Sequence, residues 1–236
     1  MWLNDEQVID SAIGVYRASL LSACPYHIVI DKLFDEAKLD DVMKILQQGN
    51  NWQTQKHTYS NLYANNAQWK KASDDQRFVQ RDVWRGDALS SRNASSDTHC
   101  FNIAQDFLSF LRGDEFMSLL SRIFNVTLTD INVADPEINT KYFRLGAADF
   151  VAQHADDSPG REVCMLLYLN KEWNNNAGGE LVFIGKDDKP ISVSPLYNRC
   201  VLFDPSSIGS EHWVETLNSE YAEEYRYNVT SWYWSE

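Results

Sequence analysis

The sequence predicts an α+β fold in which N-terminal helices pack on one sheet of a jelly-roll, or double-stranded β-helix, core. Three observations carry that expectation. Apolar residues recur at helical spacing through much of the first half, short β-type runs follow one another from about residue 127, and no βαβ alternation intervenes. The 236 residues, 44 % hydrophobic and 13 % aromatic, suffice for a sizeable core without disulfide staples. One domain is therefore expected over 1–236, mainly helical over 1–126, with the β core over 127–236.

Asn4 can cap a helix whose first turn holds Asp5 and Glu6 and whose apolar face runs through Ile9, Ala12, Ile13, Tyr16 and Leu20. After Pro25, HIVIDKLF reads as a strand. In EAKLDDVMKILQQG, Leu39, Val42, Met43, Ile45 and Leu46 form a helical stripe that stops at Gly49, a natural C-cap. Residues 50–97 are polar and aromatic, irregularly patterned, with short strand candidates such as RDVWRG. Phe101, Ile103, Ala104, Phe107, Leu108 and Leu111 return to helical spacing. Gly113-Asp114 breaks the run, and Phe116, Leu119, Leu120, Ile123 and Phe124 continue on a further helix.

The β-type runs are LTDINV, KYFRL, DFVAQH, EVCMLLYLN, GELVFIG, PISVS, RCVLFD, HWVETL and YRYNVTSWYW. Short strands at regular spacing argue for a sandwich or barrel. A double-sheet barrel can hold a metal and a small ligand in its interior.

A net charge of -13 disfavours a nucleic-acid partner, because such binding rests on Lys and Arg neutralising phosphates. It suits an enzyme acting on a peptide or a small molecule. Cys24, Cys100, Cys164 and Cys200 are far apart and form no CxxC pair, so neither a zinc cluster nor a dense disulfide framework is expected. The N-terminus shows no signal-peptide pattern and no apolar stretch is long enough to span a membrane, which makes a reducing cytoplasm the expected compartment. Oligomeric state is not legible.

The local signal richest in chemistry is QHADD. On a strand, His154 and Asp156 leave the same face, which puts an imidazole and a carboxylate together inside a barrel. His212, the only histidine downstream, can complete a facial triad of two histidines and one carboxylate that leaves metal positions open. Alone, an H-x-D is more often a solvated loop after a strand, and a lone histidine such as His212 is more often the partner of a nearby glutamate than a ligand.

Five collinear segments weigh against those plainer readings: DFVAQHADD, REVCMLLYLNKEW, GGELVFI, NRCVLFDPSSIGSEHWV and RYNVTSWYW. Over Lys141 to Trp234 they resemble the catalytic core of the prolyl 4-hydroxylase-type 2-oxoglutarate oxygenases, nearest to the oxygen-sensing prolyl hydroxylase domains and the ribosomal prolyl hydroxylases. CPYHIVIDKLFDEAKLDDV resembles their opening strand and helix more loosely. The resemblance implies that His154, Asp156 and His212 bind Fe(II), that Arg226 pairs with the distal carboxylate of 2-oxoglutarate, and that Tyr168 and Thr230 support it. O2 is then the oxidant, and ascorbate is admitted as an accessory. Arg226, Asn228 and Thr230 share one strand face, with Trp232 continuing it as a cavity wall.

Two departures touch surfaces that select substrates. Thirteen residues, Trp213 to Tyr225, separate His212 from Arg226, and their acidic NSEYAEEY is expected to extend a hairpin. KYFRLGAADF lacks the family's tyrosine-then-glycine pattern, and Tyr142 is left without a cosubstrate role. The expected activity is hydroxylation of a C–H bond, with a prolyl residue in a protein as substrate. The alternatives are a free amino acid or small metabolite, a non-catalytic jelly-roll binding module, and a cupin-type metal enzyme that uses no 2-oxoglutarate.

Overall fold

A computed structural model describes residues 1–48, 51–86, 102–129, 139–220 and 225–235. At the N-terminus Asn4 caps only a single 3-10 turn, Asp5–Gln7, its side chain accepting from the Glu6 amide. The Val8 amide closes back on the Asp5 carbonyl and ends that turn. The chain is extended at Ile9, and helix α1 covers Asp10–Ser22. The expected helix is thus split, leaving Ile9 exposed while Ile13 and Leu20 are buried.

Strand β1 (His27–Asp31) leads to helix α2 (Glu36–Gln47), which Asp35 caps by accepting from the Lys38 amide. Leu39, Val42, Met43 and Leu46 bury one face of α2 as their spacing predicts. Gly49, Phe101 and LTDINV from residue 130 onward lie outside the described residues. Strand β2 (Trp52–Thr58), helix α3 (Asn66–Lys71) and strand β3 (Arg77–Trp84) follow. Helices α4 (Ile103–Leu111) and α5 (Asp114–Phe124) flank Gly113, the N-cap of α5.

The second half supplies β4 (Thr140–Leu145), β5 (Phe150–His154), β6 (Arg161–Tyr168), β7 (Leu181–Phe183), β8 (Ile191–Val193), β9 (Arg199–Phe203), β10 (His212–Val214) and β11 (Arg226–Trp234). Among the described residues the strands form one curled antiparallel path, β1-β9-β6-β11-β4-β3-β5-β10-β7-β8, with β2 attached to β3. Strand β3 is the corner. It pairs with β4 through Asp82↔Arg144 and Val83↔Phe143, and with β5 through Val79↔Val151 and Gln80↔Phe150.

Period-two alternation explains the unbroken apolar run of β6. Val163, Met165 and Leu167 pack with the core that holds α2, α4 and α5, whereas Cys164, Leu166 and Tyr168 pack inside the curl with Leu181, Phe183, Val201 and Phe203. Strand β11 divides likewise, with Tyr227, Val229 and Tyr233 in the helix-side core. Among the described residues β10 and β11 do not pair with each other as the hairpin expected between His212 and Arg226 would require. Strand β10 pairs with β5 and β7, and β11 with β4 and β6, so the acidic segment crosses between two parts of the curl. Residues 221–224 of that segment, Glu223 and Glu224 included, lie outside the described residues. No helix among the described residues is long and apolar enough to cross a membrane.

Candidate active site

His154 ends β5 and His212 begins β10, and the two are direct cross-strand partners. Their ring centroids lie 4.4 Å apart. Asp156 follows two residues after His154 and completes the cluster, with Oδ1 3.7 Å from His154 Nε2 and Oδ2 3.8 Å from His212 Nε2. Ligand atoms of all three residues fall within 4.8 Å of one another, close enough to converge on one cation.

The surrounding hydrogen bonds set the tautomers. His154 Nδ1 lies 2.9 Å from the Ala152 carbonyl and His212 Nδ1 lies 3.0 Å from the Ser210 carbonyl. A carbonyl only accepts, so each Nδ1 carries the proton and each Nε2 lone pair faces the cluster. Burial, with His154 alongside, pushes the His212 pKa down to about 4 against the pull of Asp156, so its imidazole is neutral near pH 7. Burial pushes the Asp156 carboxyl upward, but His212, His154, the Trp232 indole and Arg161 outweigh it and hold the group below its usual range. The indole Nε1 donates to Asp156 Oδ2 at 2.8 Å, and Arg161 donates to the Asp156 backbone carbonyl. A carboxylate beside two imidazoles that turn Nε2 toward it is the donor set that a divalent transition metal takes.

Arg226, at the start of β11, is 1 % exposed. Its Nη1 donates to Asn228 Oδ1 at 3.1 Å, and Asn228 Nδ2 donates to Thr230 Oγ1 at 2.9 Å, a ladder along the face predicted by period two. Arg226 Nε and Nη2 are buried without a hydrogen-bond partner, and so is the Tyr168 hydroxyl. The guanidinium carbon lies 4.8 Å from the Tyr168 ring centroid. Unpaired buried donors of this kind are costly, and a carboxylate meeting the guanidinium edge and the phenol would satisfy them together. The residues present therefore fit a dicarboxylic cosubstrate. Thr230 reaches Arg226 only through Asn228. Gly179, with φ +79°, is required where it stands, since a Cβ there would lie 2.9 Å from Arg226 Cδ.

Tyr142 points the other way, donating to the Ala104 carbonyl at 2.8 Å in the helix-side core. Trp232, expected only as a wall, positions Asp156. The residue that sequence reasoning missed is Arg81 on β3. Its guanidinium stacks 3.5 Å from the Phe143 ring centroid and feels both Asp156 and Arg226. Its only sequence signal was RDVWRG as a short strand candidate.

Residues 140–234 match the family model described as the 2OG-Fe(II) oxygenase superfamily. A mouse (Mus musculus) protein, prolyl 3-hydroxylase OGFOD1, is 28 % identical over 127 residues, a match covering 51 % of this chain. The match spans only 22 % of that protein's length. Among solved structures, a Pseudomonas putida prolyl-4-hydroxylase superposes with a TM-score of 0.61 at 13 % identity, covering 94 % of this chain and 98 % of that one. A Trichoplax adhaerens prolyl hydroxylase, in complex with a hypoxia inducible factor peptide fragment, superposes with a TM-score of 0.60 at 20 % identity, covering 95 % and 90 %. These structures share the jelly-roll fold. The family match runs from β4 to the end of β11 and takes in all three residues of the His–Asp–His cluster and Arg226.

Proposed function

We propose that this chain is an Fe(II)- and 2-oxoglutarate-dependent dioxygenase that hydroxylates a prolyl residue in a protein. The observation that carries the reading is a pair of unlike corners in one barrel interior. One is a metal-competent His–Asp–His cluster, and the other is a buried guanidinium and phenol with unused hydrogen-bonding atoms. His154, Asp156 and His212 would hold the iron through the two Nε2 atoms and a carboxylate oxygen. Arg226 and Tyr168 would hold the distal carboxylate of 2-oxoglutarate, with Asn228 and Thr230 keeping the guanidinium in place.

Bound iron, with 2-oxoglutarate and O2, supplies the oxidising power for C–H hydroxylation, and the cosubstrate leaves as succinate and carbon dioxide. The chain's own contribution is orientation and exclusion of water. Phe203 and Phe183 pack on His212 with ring centroids at 5.1 and 5.9 Å, and Trp232 fixes one carboxylate oxygen of Asp156.

The mouse prolyl 3-hydroxylase and the Trichoplax enzyme's peptide complex support a prolyl residue in a protein or peptide as substrate. A free amino acid or small metabolite is the second reading, favoured by Arg81, a cation beside the cluster with no ion-pair partner among the described residues. Among the described residues Cys24, Cys164 and Cys200 are free thiols, in keeping with a reducing cytoplasm, and the whole of 1–236 is taken as one domain. The test is succinate formation with iron present, across prolyl peptides and free amino acids, followed by mass detection of an added oxygen. Substrate-stimulated succinate with oxygen on a prolyl residue is expected. A protein that loads iron yet turns over no 2-oxoglutarate, with or without any substrate, would sink the reading.

A further inference from the structure

Arg81 makes no hydrogen bond or ion pair with any described residue. Its Nε is closed off from solvent without a partner, while the side chain as a whole is only partly buried. Val83 pairs with Phe143 across β3–β4, Phe143 pairs with Asn228 across β4–β11, and Arg81 lies on the Phe143 ring. Arg81 therefore faces the same interior as Arg226 and Asn228. Burial lowers its pKa to about 10, with Asp156 opposing and Arg226 assisting, so it remains a cation at neutral pH.

Its neighbours on β2 are also unsatisfied. Gln55 is the cross-strand partner of Arg81, and its Oε1 is buried without a hydrogen bond. His57 follows two residues on along the same face and leaves Nε2 buried and unpartnered. Burial and the charge of Arg81 push the His57 pKa down to about 4, so the imidazole does not add a second charge. One strand pair thus lines the wall next to the cluster with a cation, an acceptor and a neutral imidazole, each packed in place but with a buried hydrogen-bonding atom unmatched among the described residues.

We infer that Arg81, with Gln55 and His57 beside it, forms a second carboxylate-binding subsite in this cavity, one that takes a carboxylate of the primary substrate. A guanidinium meets a carboxylate through two parallel N–H···O bonds, and in a partly dry pocket an unpaired cation gains more from an anion than from a neutral carbonyl. Gln55 Oε1 then accepts from an N–H on the same ligand, as an ammonium or an amide would supply. The inference rests on the oxygenase reading, which commits Arg226 to 2-oxoglutarate. The carboxylate can belong to a free amino acid or to an acidic residue beside the target residue in a peptide.

The experiment is calorimetric titration of the full chain loaded with Mn(II) and 2-oxoglutarate. The probes are L-proline against L-prolinamide, and a proline peptide with a neighbouring Glu against the same peptide with Gln. Wild type is expected to bind at least one acid about tenfold or more tightly than its amide. Preference within the first pair assigns a small acid, and preference within the second assigns an acidic residue. Arg81→Gln should abolish the preference, and Arg81→Lys should keep part of it. Both variants should retain 2-oxoglutarate binding and the wild-type circular dichroism spectrum. Equal binding of acid and amide by wild type would overturn the proposal, as would a preference surviving in Arg81→Gln. Loss of 2-oxoglutarate binding in Arg81→Gln as large as in Arg226→Gln would reassign Arg81 to the cosubstrate. Failure of wild type to load 2-oxoglutarate would count against the oxygenase reading instead, and the acid–amide comparison would then be run on the Mn(II) protein alone.

Discussion

The proposed metal corner and the proposed carboxylate corner differ in how far the fold satisfies their polar atoms. Around the triad, the atoms not needed for a metal already have partners: both Nδ1 atoms donate to backbone carbonyls, and Asp156 Oδ2 accepts the Trp232 indole. At Arg226 and Tyr168 the reverse holds, with Nε, Nη2 and the phenol left buried and unmatched. A metal demands ligands whose direction is fixed in advance, whereas a carboxylate brings its own acceptors and completes the site on arrival. The first corner is therefore preorganised at little cost, and the second keeps an uncompensated charge until a ligand binds.

The largest expected effect sits at the metal corner. His212→Ala should abolish iron loading and lower turnover by more than about 100-fold, beyond the cost of losing a mere supporting contact. Metal analysis and succinate assay of the purified variant check it, and wild-type iron content would break the triad. At the carboxylate corner, Arg226→Ala should weaken 2-oxoglutarate binding by about 2–5 kcal/mol while sparing iron. Because it removes an unpaired buried cation, its ligand-free melting temperature should not fall, but the stabilisation that 2-oxoglutarate gives wild type should vanish. A large drop in ligand-free stability would mean that Arg226 is structural.

Smaller changes sharpen the contrast. Trp232→Phe deletes the indole bond to Asp156 and should cost roughly 10- to 100-fold in iron affinity, with 2-oxoglutarate affinity at saturating metal unchanged. An effect on the cosubstrate alone would move Trp232 to the other corner. Tyr168→Phe removes a single neutral hydrogen bond and should raise the 2-oxoglutarate requirement about fivefold, near 1 kcal/mol, with iron titrations unaltered. No change at all would make Tyr168 a packing residue.

The two corners were unequally legible in the sequence. Strand periodicity places the Arg226–Asn228–Thr230 face on β11, whereas β5 ends at His154 and Asp156 reaches the cluster from beyond the strand that the spacing predicts for both. That His212 pairs directly with His154 was not deducible, since strand adjacency depends on topology rather than on local pattern. The β2–β3 pair has no such periodic signature because Gln55, His57 and Arg81 carry buried polar atoms on its inner face, which erases the apolar alternation that marks a strand. The first helix is shorter than its spacing predicts because the cap at Asn4 closes only one turn. A hairpin is the expectation for the acidic connection because sequence neighbours usually pair, but the strands on either side belong to different parts of the curl.

The placement of β1 bears on how the chain acquires its structure. Its register runs from His27↔Phe203 to Asp31↔Arg199, so this strand finds its partner only after a long intervening stretch of chain has been made. The corner strand β3 likewise waits for β4 and β5. Such long-range pairing makes folding slow, and until it is complete the apolar face of α2 and the unpaired edges of β1 and β3 stay open to other chains. A nascent chain stalled before residue 199 should therefore be held by chaperones or aggregate, even though its first helices could already have formed.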